Sequence, residues 1–430
     1  MYAVIGAGPM GLATARVLQK HGLPFTGFEL HSGVGGLWDI ANPHSTVYES
    51  AHLISSKRMT EFAEFPMRDE VAPYPRHDEL KRYFTEFAEH FGLTERYDFS
   101  TRVVRVRRSA DGGWDVTTEH AGTQRTRRFA GVLIATGTLH HPFQPALPGT
   151  FAGTVMHSAQ YKSPEQLRGQ RVLVVGCGNS GADIAVDAVR AAASVDLSVR
   201  RGYWFLPKFL KGRPIDTLGG LIKLPRPLKQ RVDGLMVRMV VGKPSDYGLP
   251  DPDYRLYESH PVMNSLVLHH LAHGDITPRA DIATVDGHRV TFVGGASAEY
   301  DTILQATGYA LHYPFIDRDA LNWGSAAPAP SLYLNVMHPT DDTLFLMGMI
   351  EASGLGWQGR YEQAELVALY LKRLAEGHPA ALALRDEKRA KFAQRVDGGF
   401  RYLKLDRMAY YVHKDSYLKA LRRHARALSR

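Results

Sequence analysis

At 430 residues, with 44% hydrophobic and 22% charged side chains, the chain has the composition of a globular protein of two or three domains. A formal charge of +8 fits a phosphate-binding face and a solvated basic helix, and no zinc-finger spacing or RNA-binding motif argues for a nucleic-acid partner. The single cysteine, Cys177, excludes an internal disulfide and a CxxC redox pair; no apolar run approaches the roughly 18 residues of a membrane span, and the chain opens on a strand pattern, so no leader and a cytoplasmic location are expected.

Residues 2–5 read as a short buried strand, Gly6-Ala7-Gly8-Pro9-Met10-Gly11 as a turn, and 12–21 as a helix stopped by Gly22. This order suits a dinucleotide pyrophosphate. Gly6 makes the tight turn, Gly8 lets backbone approach phosphate, and Gly11 lets the helix pack on the strand. The next strand, 24–29, ends in Glu29, about twenty residues past the glycines, where a carboxylate hydrogen-bonds ribose hydroxyls and repels a 2′-phosphate. The site suits FAD or NAD rather than NADP. A helix opens at 74–83 with His77 or Asp78 as its cap, and 102–107 and 114–118 alternate as a β-hairpin around Asp111-Gly112-Gly113. The buried strand 131–137 closes on Thr136-Gly137, a pattern repeated at 302–309 around Gly308. His140-His141 lack further ligands at metal spacing.

A second glycine motif follows the apolar run 171–175: Gly176, Gly178 and Gly181, then a helix opening at Asn179-Ser180-Gly181 whose N–H groups and hydroxyl face a pyrophosphate. It is not a serine-nucleophile elbow, because Ala182 follows Gly181. The strand 195–199 ends in Arg200-Arg201 rather than an acid, which suits the 2′-phosphate of NADPH. Two such sites suggest one cofactor that holds electrons and another that delivers them. Residues 202–248 are irregular, with helical patterns at 217–224 and 229–241, and read as an insertion forming a lid or substrate wall. Met236, Val237, Met239 and Val240 read as core in preference to a substrate-facing patch. His269 and His273 have no carboxylate in register, so no metal site is expected. The chain closes with a strand at 343–349, a helix at 361–375 and a basic helical tail.

The stretch FAGTVMHSAQY places Phe151, Gly153, His157 and Tyr161 on the positions of the fingerprint FxGxxxHxxx(Y/F), and the chain resembles the flavin-containing monooxygenases. The segment VGGLWD resembles the family's GGLW stretch, whose backbone, here at Gly36, Leu37 and Trp38, lies along the flavin cofactor. In two-dinucleotide flavoproteins the strand at 102–107 contacts the adenine, here at Val103 or Val104. Residues 48–67 resemble the segment passing the flavin ring, matching at Ser56, Lys57, Met59, Phe62, Phe65 and Pro66. They depart from it at Ile54, where many members carry an Asn. Ser55 is the expected replacement, with His52, Lys57 and Gln363 as further candidates near the ring.

The resemblance implies an α/β fold of two Rossmann-like dinucleotide-binding domains, the NADPH domain inserted into the FAD domain. FAD would take 1–145 and 296–380, NADPH 146–295 including the insertion 202–248, and 381–430 would be the tail. It implies a monooxygenase that uses FAD, NADPH and O2 to insert one oxygen atom into a small organic substrate through a flavin C4a-(hydro)peroxide. N- or S-oxygenation is favoured, since Tyr161 lacks the Trp-Pro or Trp-Asp ending of Baeyer–Villiger members. Ketone oxidation and decarboxylative oxidation of a 2-oxo acid are the alternatives, followed by an NADPH oxidase or flavin reductase. Arg58 and Arg360 either stabilise a peroxyanion or pair with carboxylates. A homo-oligomer is left open; neither nucleic acid nor an integral membrane segment is expected.

Overall fold

The computed structural model describes residues 1–110, 112–218 and 226–430. Its frame is a pair of five-stranded parallel sheets. The first runs in the order Leu344–Leu346, Gly131–Ile134, Tyr2–Ile5, Phe25–Phe28, Tyr97–Asp98. The second runs Thr154–His157, Thr302–Gln305, Arg171–Val175, Ser194–Ser198, Ile276–Arg279. Tyr2–Ile5, Gly131–Ile134, Leu344–Leu346, Arg171–Val175 and Thr302–Gln305 are largely buried, as strands of a parallel sheet require, whereas Tyr97–Asp98, Thr154–His157 and Ile276–Arg279 are partly exposed. A three-stranded antiparallel sheet, Arg102–Arg108, Trp114–His120 and Thr123–Phe129, extends the expected hairpin by a strand; Asp111 lies outside the described residues.

The chain leaves the first unit at His141–Pro142 and returns at Tyr309–Ala310, and these two passages pair as an antiparallel ribbon. That moves one boundary. The strand Thr302–Gln305 pairs with both Thr154–His157 and Arg171–Val175, inside the second sheet, so the return does not come at 296 but after Gly308. An apolar run such as TILQ carries no mark of which sheet it will join. The units also meet through 47–51, which leaves the first and packs in the second core. Tyr48 Oη donates to Asp183 Oδ2 at 3.1 Å and Ser50 Oγ to Asp187 Oδ2 at 2.9 Å. Burial pushes the Asp183 carboxyl above its ordinary range.

The basic tail is no solvated appendage. The helix Lys414–Leu428 follows Pro379–Lys391 and lays Tyr417 and Leu421, both fully buried, into the first core beside the long helix Gly356–Ala375. Its charges occupy the opposite face, the division that stabilises an amphipathic surface helix. Tyr417 Oη donates to the Leu334 carbonyl at 2.8 Å, which binds this helix to the return loop. The helix His77–His90 is capped by Arg76 with no side-chain bond, so neither His77 nor Asp78 is its cap. In the insertion, Arg226–Val241 contains the expected 229–241 pattern, whereas most of the other, 217–224, lies outside the described residues. The core reading of its methionines does not hold: Met236 and Met239 are 49% and 69% exposed, because only the side carrying Gln230 and Gly234 is buried.

Candidate active site

Both glycine turns are built alike. Gly6 and Gly176 have φ of +105° and +100°, and a Cβ on either would lie 2.7 Å from a carbonyl oxygen, that of Ala135 or Ala306. A Cβ on Gly11 or Gly181 would come within 1.8 or 2.0 Å of the Gly6 or Gly176 carbonyl oxygen. The first and third glycines are therefore demanded by the protein itself. The middle ones are not. A Cβ on Gly8 would meet Gly36 at an ordinary 3.5 Å, and one on Gly178 would meet nothing within 4 Å. A bare backbone at the N-terminus of a helix is where a pyrophosphate fits.

The first turn opens on a cavity of about 1520 Å³. That exceeds the roughly 300–1,000 Å³ of a pocket for one drug-sized ligand, as a site shared by cofactor and substrate must. Gly6, Gly8, Glu29, Gly36, Leu37, Trp38, Val104 and Thr136 all line it. Glu29 accepts the Ala7 N–H at 2.6 Å and the His31 N–H at 2.8 Å, while burial raises its carboxyl above the ordinary value. Each oxygen keeps lone-pair capacity for a hydroxyl. Thr136 Oγ1 is buried and has no hydrogen-bond partner among the described residues, another position that fits a cofactor atom. The second turn, Gly176 to Gly181, does not line this cavity. Asn179 is committed there, its Oδ1 accepting the Met263 N–H at 2.7 Å, and Ser180 follows in the first helical turn. Arg200 is exposed and makes no ion pair or hydrogen bond among the described residues, and Arg201 lies 5.7 Å from the Tyr203 ring.

Several expected site residues serve the scaffold instead. His52 is exposed, bridged to Arg76, with Nδ1 turned to the Ser50 carbonyl at 2.7 Å, and is not on the cavity wall. Lys57 is buried, and its Nζ donates to the carbonyls of Arg68, Asp69 and Val71, which removes it from the cavity. Gln363 accepts the Gly348 N–H at 2.8 Å and donates to Tyr417 Oη at 2.6 Å; it orients Gly348, which does line the cavity. Of the four, Ser55 alone lines it. Its Oγ lies 2.6 Å from Thr60 Oγ1, and because Thr60 donates to the Ser56 carbonyl, Ser55 is the donor between them.

The fingerprint is likewise structural. A Cβ on Gly153 would come within 2.4 Å of the Asp301 carbonyl oxygen. His157 is fully buried; Nδ1 accepts the Ala159 N–H, so Nε2 carries the proton and donates to the Gly308 carbonyl at 3.0 Å. Burial holds its pKa down, keeping it neutral. Gly308 itself, with φ +92°, forms the turn into the ribbon rather than cavity wall.

Sequence reasoning missed a polar cluster whose His260 and Ser353 line the cavity and whose Tyr411 stands behind them. Tyr411 Oη stands 3.1 Å from His260 Nδ1 and 2.7 Å from Ser353 Oγ, which joins the second unit to the first. Burial pushes His260 down to about 4, so it is neutral at pH 7. Beside them Glu351, raised by burial, and Arg360 also line the cavity. The Arg360 guanidinium donates to the Gly356 and Ile350 carbonyls at 3.1 and 3.0 Å. No spacing signal announces this set, since His260 and Ser353 lie 151 and 58 residues from Tyr411 along the chain.

The model of the family described as flavin-binding monooxygenase-like matches residues 1–422. Flavin-containing monooxygenase 1 of Canis lupus familiaris is 30% identical over 97% of this chain and 82% of its own length. The Pan troglodytes protein named dimethylaniline monooxygenase [N-oxide-forming] 2 is 31% identical over 87% of this chain and 73% of its own. Among solved structures, an open form of cyclohexanone monooxygenase superposes with a TM-score of 0.73 over 100% of this chain and 96% of that one; at 19% identity this shows the shared fold. With the two glycine cradles and the large shared cavity, these matches establish that the chain belongs to the flavin-binding monooxygenases, FAD-containing enzymes that take their electrons from NADPH.

Proposed function

We propose that the protein oxygenates a small, mostly apolar substrate at a soft nucleophile, an amine nitrogen or a sulfide sulfur. The observation that carries this reading is the state of the two arginines near the ring-proximal segments. Arg58 is exposed and paired with Glu61 and Asp69, and Arg360 is committed to two backbone carbonyls near Glu351. A ketone oxygenation needs a cation free to hold an anionic oxygen. An amine or sulfide brings its own electron pair and does not. The relative named for N-oxide formation supports the same side.

The FAD pyrophosphate would lie at Gly6, Gly8 and Gly11, with its ribose at Glu29, its adenine along the backbone of Val103 or Val104, and the rest along Gly36–Trp38 and Thr136. NADPH would take Gly176, Gly178, Asn179, Ser180 and Gly181, with Arg200 and Arg201 toward its 2′-phosphate. When bound, the flavin supplies hydride acceptance and O2 activation. The chain's part is to orient and to exclude water. The walls contributed by Leu206, Leu210, Met236 and Val240 are apolar, which strengthens each polar contact inside. Ser55 offers a hydroxyl where Ile54 has replaced the amide.

A cytoplasmic setting fits the lone cysteine, Cys177, buried with its thiol pushed up to about 12, and no described helix is long and apolar enough to cross a membrane. The test is a panel of matched amines, sulfides and ketones given to the FAD-loaded enzyme with NADPH. N-oxygenated product or sulfoxide formed in step with NADPH use is expected. Lactone or ester from the ketones alone, or peroxide as the sole product, would overturn the reading.

A further inference from the structure

The insertion presents one feature that the oxygenation chemistry leaves unexplained. Asp216 sits in the single turn Ile215–Thr217, just after the small hairpin Phe209–Leu210 and Arg213–Pro214. Its Oδ2 accepts the Ser56 N–H at 2.6 Å, which ties the insertion to the segment beside Ser55. Its Oδ1 is buried and has no hydrogen-bond partner among the described residues, and no ion pair joins Asp216 to any described Lys, Arg or His. Asp216 lines the cavity among Ile54, Leu206, Leu210, Ile215 and Leu218. Ser55, Lys229, Asp233 and Tyr257 are polar members of the same lining, and the Lys229 ammonium is already paired with Asp233. A buried carboxylate oxygen without a donor is costly to maintain, and in native proteins such an atom finds one.

We propose that Asp216 selects the substrate: its Oδ1 accepts an N–H from a primary or secondary amine held in the cavity. Such an amine can donate one N–H to the carboxylate and keep its lone pair for the oxygen. A sulfide, a ketone or the free base of a tertiary amine has only lone pairs to offer, and would face Oδ1 with acceptor against acceptor. A hydrogen bond to a charged group is also the stronger kind, so the discrimination is large where water is excluded. This inference rests on the oxygenation reading for the fate of the bound amine, but not for its binding.

The experiment uses the FAD-loaded full chain with NADP⁺ present. Calorimetry compares a primary alkylamine with the alkyl methyl sulfide of equal length, in wild type and in Asp216→Asn. The asparagine carbonyl can still accept from Ser56, while its amide puts a donor where Oδ1 stood. The amine should bind about tenfold more weakly or worse in the variant, and the sulfide should change by less than about threefold. Steady-state kcat/KM should follow the same split. Equal effects on both ligands, or none on either, overturn the assignment. Should the variant not retain FAD, the wild type decides: an amine that binds no tighter than its sulfide sinks the proposal. Amine binding that depends on Asp216 without oxygenated product would instead refute the oxygenation reading and leave this assignment standing.

Discussion

The middle glycine of the second turn makes the sharpest prediction. Gly178 has φ −74° and ψ −175°, an extended conformation open to any L-residue, and an added Cβ would meet no heavy atom within 4 Å. Gly178→Ala should therefore fold as well as the parent, with about 0.4–1 kcal/mol gained from the less flexible unfolded chain. In the proposed NADPH site the methyl group would stand where backbone approaches the pyrophosphate. Losing one charge-assisted hydrogen bond there costs about 1.5–3 kcal/mol, which is roughly a 10- to 150-fold rise in KM for NADPH. Anaerobic stopped-flow titration of flavin reduction by NADPH gives that value, and thermal melting gives the stability. Gly181→Ala is the contrast. Its Cβ would lie 2.0 Å from the Gly176 carbonyl oxygen, so the helix must move and Tm must fall. An unchanged KM in Gly178→Ala, or a Tm loss equal to that of Gly181→Ala, would refute the reasoning.

Three further outcomes are expected. Arg200→Ala should raise KM for NADPH by about tenfold or more and leave the weaker use of NADH unchanged, because the lost interaction is with the 2′-phosphate alone; parallel changes with both cofactors would remove Arg200 from that role. Ser55→Ala should divert NADPH consumption toward peroxide by removing the hydroxyl on the cavity wall, and full coupling of NADPH use to product would show that Ser55 does not replace the missing amide. His424 is 6% exposed, with Nε2 2.8 Å from Tyr333 Oη, and burial followed by the adjacent Arg423 pushes it down to about 4. The unfolded chain takes up that proton near pH 6.5. The contribution of His424 is therefore complete above that pH and is lost as pH falls toward 4, by about 1–3 kcal/mol. Tm measured at pH 7.5 and pH 5 should fall less in His424→Asn than in the parent, and identical slopes would contradict this.

The glycine turns were legible because their demands are local: a positive φ at Gly6 or Gly176, and a helix pressed on the carbonyl five residues before Gly11 or Gly181, are written within six residues of chain. The last helix was legible in part. Tyr417, Leu421 and Leu428 recur on one helical face, but the number of arginines on the other face masked how deeply that face is buried. Residue type proved a poor guide to residue task in the fingerprint and the ring-proximal segment. A histidine can face a cofactor or hold a turn, and His157 and Lys57 both spend their protons on backbone carbonyls of the scaffold.

The cavity shows the deeper reason for such misses. Its wall draws on Ser55 from the first unit, Asp216 from the insertion, His260 from the second unit, and Ser353 and Arg360 from the return segment. These come together where the chain crosses between units twice through one ribbon, His141–Pro142 against Tyr309–Ala310, and where 47–51 packs in the second core. The crossing leaves the first nucleotide turn and the insertion on a shared cavity, while the second turn lies off its wall. A cofactor held at Gly178 must therefore reach toward the cavity from beyond it. That places the burden of substrate choice on the insertion, whose irregular sequence carries no motif, and there the unpartnered oxygen of Asp216 is the group most in need of a ligand.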